Sequence, residues 1–128
     1  MGMTYKGGSP EFRSLGDNVE KMKNDPQYHF KDGCFGPLHH NSQNAHDLFF
    51  DDPIAAAREF YDKIAYGGIE NAIGEDNWTT KMKDGTYINF RIKTSSEGSP
   101  AVQINIKNSS DNAGVRFHKV HFSKPKKQ

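Results

Sequence analysis

The chain has a single cysteine, Cys34, so it cannot form an internal disulfide framework. It also lacks an apolar run near the length of a membrane span and a secretory signal pattern. Only 34% of its 128 residues are hydrophobic, and aromatic residues supply much of that fraction. These shortages predict one modest domain with part of the chain outside its core, and no membrane partner.

Several motifs of known chemistry are missing as well. There is no phosphate-binding glycine loop, no nucleophile elbow and no cysteine–histidine pair at a useful spacing. Charge is divided along the chain: up to Asn77 there are seven Lys/Arg against thirteen Asp/Glu, and from Trp78 onward ten against three. A basic half predicts a polyanion-binding surface, although Lys124, Lys126 and Lys127 could simply be a solvated tail.

The basic half contains four runs in which apolar and polar residues alternate with period two, which is typical of half-buried strands. The turn signal Asp84-Gly85 separates the first two runs, and glycine-, proline- and serine-rich stretches separate the others. The runs are Trp78–Lys83, Tyr87–Lys93, Ala101–Lys107 and Val115–Phe122. They predict a four-stranded antiparallel meander.

One helix is predicted before these strands. Asp51 or Asp52 can cap it, Pro53 suits its first turn and Gly67-Gly68 ends it. Its apolar stripe comprises Ile54, Ala57, Phe60, Tyr61 and Ile64. The predicted fold is therefore α+β, with an N-terminal helix on a four-stranded antiparallel meander. A second short helical turn is expected within residues 69–75.

The predicted domain spans residues 48–123. Residues 1–47 are predicted to be a flexible arm, with Gly8–Phe12 resembling a translated vector linker and one possible helical turn over Asp17–Lys23. Residues 124–128 form a basic tail.

Strand phase predicts which residues share the face that is not covered by the helix. Val120 and Phe122 belong to the core phase, so Lys119 and His121 lie on the opposite face with Arg91. His118 follows the core phase and is a candidate only if a β-bulge changes the register. No carboxylate is expected on this face. Candidate substrate-binding residues are Asn89, Lys93, Thr94, Ser96, Gln103 and Asn105, and Ser95 and Ser99 of the adjoining loop are further catalytic candidates.

These residue types suit metal-independent RNA cleavage. The 2′-hydroxyl must lose a proton, the 5′-oxygen must gain one, and the phosphorane charge must be neutralised. Histidine exchanges protons near neutral pH, and arginine can bind two phosphate oxygens at once. No cofactor is expected. Each residue also has an ordinary structural explanation: a half-buried strand histidine, a surface arginine or a polar turn.

A second group of possible ligands precedes the helix: His29, Cys34, His39, His40 and His46. Their spacing matches no closed four-ligand zinc pattern. Leu38-His39-His40 is similar to a short signature of HNH-like nucleases, but the later positions of a ββα metal fold are not evident. A solvated histidine-rich arm is the alternative.

From Leu48 to Phe122 the chain resembles the C-terminal toxin domains of bacterial polymorphic toxins of the contact-dependent inhibition, Rhs and LXG types. The resemblance rests on the order of four motifs: Phe60-Tyr-Asp-Lys-Ile-Ala-Tyr-Gly-Gly; Lys83-Asp-Gly-Thr with Phe90-Arg91; Ser95-Ser-Glu-Gly-Ser-Pro-Ala-Val-Gln-Ile-Asn-Ile; and Lys119-Val-His-Phe. It implies a ribonuclease of the barnase and colicin group, in which some members cleave tRNA. It assigns phosphate binding to Arg91 and acid/base work to His121, supported by Lys119 and the Ser95–Ser99 loop. The chain lacks the glutamate of barnase.

The resemblance also implies delivery from a producing bacterium, action in the cytoplasm of the target cell, and neutralisation by a cognate immunity protein. A host translation factor is a further partner for some members. The expected activity is metal-independent cleavage of RNA, with tRNA as the expected substrate, leaving a 2′,3′-cyclic phosphate. Two alternatives stay open: a metal-dependent DNase using His39 and His40, and a non-catalytic module that binds nucleic acid or protein.

Overall fold

A computed structural model of the protein describes residues 5–39, 44–93, 99–106 and 113–125. Two helices in the described chain are α1 (Leu15–Met22) and α2 (Pro53–Ile64). The strands are β1 (Phe30–Lys31), β2 (Cys34–Phe35), β3 (Ala45–Phe49), β4 (Ile69–Ala72), β5 (Asn77–Lys81), β6 (Tyr87–Arg91), β7 (Ala101–Asn105) and β8 (His118–Ser123). Short 3₁₀ turns cover Lys6–Gly8 and Pro26–Tyr28.

Six strands form one mixed sheet in the order β3-β8-β7-β6-β5-β4, and β1 and β2 form a separate two-stranded sheet. Strands β5 to β8 pair antiparallel in chain order, as the alternation predicts. The prediction of a helix on a four-stranded meander is nevertheless wrong. β4 extends the sheet beyond β5, and β3 joins its other end parallel to β8.

Both additional strands lie at sheet edges, where the local pattern is weak. All four residues of β4 are exposed, so its sequence lacks the alternation of buried and exposed residues that predicts a strand. The sequence predicts a short turn in this segment instead. In β3, Ala45 pairs with Lys119 near the far end of the chain. A pairing between such distant segments leaves little trace in the local sequence.

Helix α2 begins where its sequence predicts. Asp52 accepts a hydrogen bond from the Ala55 N–H at 3.2 Å, and Pro53 occupies the first turn. Ala57, Phe60, Tyr61 and Ile64 are buried against the sheet. Ile54, however, is 47% exposed although it shares a helix face with Tyr61. The first turn therefore extends past the core, and Ile54 does not belong to the buried stripe.

Much of the segment predicted to be a flexible arm is packed. Ser14 and Asp17 form a capping box at the start of α1, which is longer than the predicted turn. From this segment Leu15, Val19, Met22, Tyr28 and Phe35 join the same core as the sheet and α2. The apolar residues are too widely spaced between polar ones to give a sustained period, which is why the packing is not evident in the sequence.

Lys6, which precedes the segment that resembles a vector linker, also contacts the domain. The backbones of Lys6 and Gly67/Gly68 exchange hydrogen bonds of 2.8 and 2.9 Å. The Lys6 ammonium lies 4.5 Å from the centre of the Tyr61 ring and 2.8 Å from a Glu70 oxygen. In the basic tail, Lys124 and Pro125 are exposed, and residues 126–128 lie outside the described ranges.

The two faces of the sheet differ in chemistry. One face buries Ile88, Phe90, Val102, Ile104, Val120 and Phe122 in the core shared with the helices. The alternate positions form the opposite face, which we call the polar face: Asp47, Asn89, Arg91, Gln103, Asn105, Lys119 and His121. The predicted phase of Lys119 and His121 is therefore confirmed.

Candidate active site on the polar face

Strand pairing sets one row of residues across the polar face. Asp47 on β3 is opposite His121 on β8, His121 is opposite Ala101 on β7, and Ala101 is opposite Arg91 on β6. Neighbouring strands lie about 4.8 Å apart, so Arg91 starts about 10 Å from His121. The small side chain of Ala101 separates them, and a long arginine side chain can cross that distance.

The carboxylate in this row comes from the parallel edge strand. The prediction that the site face has no carboxylate is wrong, because β3 was not recognised as a strand and Asp47 lies on its polar side. The Asp47 side chain is 15% exposed. A partly buried carboxylate in this position can hold and orient a neighbouring proton donor.

That donor is His39. Its Nδ1 lies 2.8 Å from both carboxylate oxygens of Asp47. Two backbone hydrogen bonds, from the His39 N–H to the Ala45 carbonyl at 2.7 Å and from the Asp47 N–H to the Pro37 carbonyl at 2.9 Å, hold residues 37–39 along the outer edge of β3. With Nδ1 directed at the carboxylate, proton exchange between His39 and a substrate would use Nε2.

His39 also lies beside His121, with ring centres 5.6 Å apart. The Ser99 hydroxyl is 3.4 Å from Nδ1 of His121, so this loop serine is close to the histidine as predicted. His121 is 5% exposed, whereas the His39 side chain is 31% exposed. Two imidazoles, one carboxylate and one hydroxyl thus meet at one end of the polar face.

Cationic residues flank this cluster. Lys119 is two residues before His121 on the same face of β8, and Arg91 is in the same cross-strand row. Arg91 is exposed and Lys119 is half-buried. Two cationic residues on the face that carries His121 favour the binding of an anionic group such as a phosphodiester.

The predicted substrate-binding residues divide into two groups. Gln103 pairs with Lys119, and Asn89 pairs with Gln103, which continues a second row across the polar face. The Thr79 hydroxyl donates a 2.6 Å hydrogen bond to the Asn89 carbonyl oxygen and orients that amide. Asn105 pairs with Tyr87 and is four residues from Ala101, about 13 Å along β7.

The remaining predicted residues follow β6. Lys93 is exposed just after the strand. Thr94, Ser95 and Ser96 lie outside the described residues. Ser99 is therefore the member of this loop whose position beside His121 is established.

His118, a catalytic candidate only if a bulge changed the register, lies on the core side of β8. It is fully buried, its Nδ1–H donates to the Arg116 carbonyl at 2.7 Å, and its Nε2 accepts from the Phe35 N–H at 3.0 Å. Burial lowers the pKa of His118 to about 4, despite the opposing effect of the hydrogen bond to Arg116. No bulge shifts β8, so the neutral ring stays on the core side.

The described members of the predicted ligand group, three of which line one cavity, are not placed to hold a metal ion together. His46 points to the core side of β3 and its Nδ1 donates to the Gly36 carbonyl at 2.7 Å. Cys34 is buried, and burial raises the pKa of its thiol. In the described ranges no group of three or more His, Cys, Asp or Glu side chains is placed to hold a metal ion. His40 lies outside those ranges.

Sequence reasoning missed the contributions of His39 and Asp47 to this site. The local signal was present in Ala45-His46-Asp47-Leu48-Phe49, where His46 and Leu48 alternate with Asp47. This run is short and borders a polar stretch, so the sequence divides it between the end of the predicted arm, at residue 47, and the start of the predicted domain, at Leu48.

No family of proteins, no curated protein and no solved structure matches this chain. Among the described helices, none combines the length and the apolar character needed to cross a bilayer.

Proposed function

We propose that this domain is a ribonuclease that cleaves RNA by attack of the 2′-hydroxyl on the adjacent phosphate. The observation that carries the proposal is the pair His39–His121, with ring centres 5.6 Å apart, beside Asp47 and flanked by Lys119 and Arg91. Two histidines on either side of one phosphate can remove and supply the two protons of the reaction without any other group changing its charge.

The environments of the two rings favour different roles. The carboxylate of Asp47 stabilises the protonated imidazolium of His39, which suits a general acid. His121 lies in a nearly buried position with the Ser99 hydroxyl near Nδ1, and we assign it the role of general base. His121 would take the proton of the 2′-hydroxyl as the O2′–P bond forms. His39 would donate its proton to the 5′-oxygen as the P–O5′ bond breaks.

The products are a 2′,3′-cyclic phosphate and a free 5′-hydroxyl. Lys119 and Arg91 would neutralise the charge on the non-bridging oxygens of the phosphorane. Arg91 can bind two of these oxygens, whereas Lys119 acts as a single charge. Asn89 and Gln103 extend the polar face in the direction in which the RNA backbone would continue.

The proposal is tested with purified protein, bacterial RNA and plasmid DNA, each with and without EDTA. RNA cleavage that survives EDTA, with cyclic phosphate ends, is expected. His39→Ala and His121→Ala should each lower the rate about 10²- to 10⁴-fold. The matched control is Lys21→Ala on α1, on the opposite side of the sheet from the histidines. Normal activity in both histidine variants, or EDTA-sensitive cleavage of DNA alone, would contradict the proposal.

The acid and base can be separated with a substrate that carries sulfur in place of the bridging 5′-oxygen. A thiolate leaves without prior protonation, so this substrate bypasses the general acid. His39→Ala should regain most of its lost rate on the sulfur substrate, and His121→Ala should not. The opposite pattern would exchange the two roles.

We also propose the biological setting that the toxin resemblance of residues 48–122 implies. In it the domain is delivered into the cytoplasm of a competing bacterium, cleaves tRNA there, and is neutralised by a cognate immunity protein. A host translation factor would be an activator if purified protein needs cell extract to cleave. Induced expression in a bacterium should arrest growth with shortened tRNA, and His121→Ala should abolish both effects. Growth arrest with intact RNA would count against this setting.

A further inference from the structure

A cavity of about 930 Å³ opens at the outer edge of β3. Asp47, which holds His39, is also part of the cavity wall, and Leu38, the residue before His39, is another part. A ligand whose phosphate lies at the histidines can therefore place a neighbouring group in this cavity. Cavities of this size bind small organic ligands.

The cavity wall contains several large apolar side chains that are exposed to solvent. Leu38, Phe49 and Phe117 line it and are 57%, 48% and 42% exposed. Only three other large hydrophobic residues of the described chain, Ile54, Ile69 and Ile73, are similarly exposed, and none of them lines the cavity. A concentration of exposed apolar side chains at one cavity indicates a binding surface.

The same wall carries polar and cationic groups. Lys31 and Arg116 are exposed cations, and Asn44 and Asp32 provide hydrogen-bonding groups. The backbone N–H of Arg116 donates to the Gly33 carbonyl at 2.8 Å, which ties the two sides of the cavity together. A nucleobase requires this combination: aromatic side chains for its faces and polar groups for its edge.

We propose that this cavity is a subsite for one unstacked nucleobase of single-stranded RNA, next to the scissile phosphate. The base stacks on Phe117 or Phe49, and Lys31 and Arg116 contact the adjoining phosphate. This inference rests on the proposed ribonuclease function for its geometry. Because a base inside a duplex cannot reach the cavity, the RNA substrate would be cut in a loop or in another single-stranded region.

The test measures binding, so that it does not depend on cleavage. The probe is a short RNA in which one residue carries the fluorescent base 2-aminopurine and every residue carries a 2′-fluoro group in place of the 2′-hydroxyl, so that no linkage can be cut. Stacking on an aromatic side chain should quench the fluorescence. Phe117→Ala should weaken binding about tenfold, and Phe117→Trp should restore it. Ile73→Ala is the matched control, an exposed apolar residue at the opposite edge of the sheet.

A second probe has an abasic residue in place of the 2-aminopurine residue and a fluorescent label at one end. Its binding is measured by the fluorescence anisotropy of that label. Wild-type protein should bind it about tenfold more weakly, and Phe117→Ala should cause no further loss. Phe49→Ala provides an independent variant if Phe117→Ala does not fold. Equal binding of the base-containing and abasic probes by wild-type protein would overturn the subsite. Base-dependent binding without any RNA cleavage would instead overturn the proposed function and leave the subsite standing.

Discussion

Nδ1 of His39 lies 2.8 Å from both carboxylate oxygens of Asp47, although neither residue lies in the basic, strand-rich half of the chain. Backbone hydrogen bonds between residues 37–39 and β3 hold this pair together, and the parallel pairing of β3 with β8 brings Asp47 opposite His121. It converts an isolated strand histidine into one member of a two-histidine cluster. The predictions below follow from this arrangement and from the core beneath it.

Asp47→Asn should lower RNA cleavage at least about tenfold while leaving the fold intact. The amide keeps the size of the side chain but does not stabilise a protonated His39. The alkaline limb of the pH–rate profile, which reports loss of the proton from the general acid, should move to lower pH. The measurement is kcat/KM across pH, with a thermal melt as the control for folding. An unchanged profile would mean that Asp47 only supports the strand edge.

Arg91→Ala and Lys119→Ala should both reduce cleavage, but Arg91→Lys should recover only part of the loss. Lysine keeps the charge and loses the paired donors of the guanidinium. Removing either cation should also reduce, by about one, the slope of the logarithm of the binding constant against the logarithm of the salt concentration. Binding of an uncleavable RNA at several salt concentrations checks this, with Lys21→Ala as the control. Equal activity of Arg91→Lys and wild type would assign Arg91 a purely electrostatic role.

His118→Ala should destabilise the fold by about 2–4 kcal/mol, because it opens a cavity and leaves the buried Phe35 N–H without its acceptor. Its activity per folded molecule should stay near that of wild type, since the ring lies on the core side of β8. Urea unfolding and active-site titration separate the two effects. Loss of activity in fully folded protein would return His118 to the catalytic site.

The pH dependence of stability should carry a His118 contribution. The pKa of its buried ring is about 4, below its value of 6.5 in the unfolded chain, so the unfolded state binds a proton first as pH falls. The stabilisation is complete above pH 6.5 and is lost as pH falls toward 4. Between these two limits the His118 contribution to the free energy of unfolding changes by about 3 kcal/mol. A His118→Gln variant should show a correspondingly flatter decline of unfolding free energy over this range.

Deleting residues 1–12 should lower the free energy of unfolding by about 2 kcal/mol. The deletion removes two backbone hydrogen bonds of Lys6 and its contacts with Tyr61 and Glu70. Lys6→Ala is the matched point variant and should account for the side-chain part of this loss. Chemical unfolding of the three proteins provides the comparison. Identical stability would mean that these residues are a dispensable linker.

The local sequence determined those parts of the fold that have a strong period and clear ends. Asp52 and Pro53 mark the start of α2, and alternation places Val120 and Phe122 inside and Lys119 and His121 on the other face. The reason is that capping and side-chain phase depend on residues next to each other in the chain.

Only the tertiary structure decided which distant residues complete the site. β4 has no buried residue, and β3 is a short edge strand whose partner lies near the other end of the chain, so neither is evident from local pattern. Asp47 and His39 reach His121 through that parallel pairing. Pairing between strands so far apart in the chain is selected by packing in the folded core, which a local pattern does not encode.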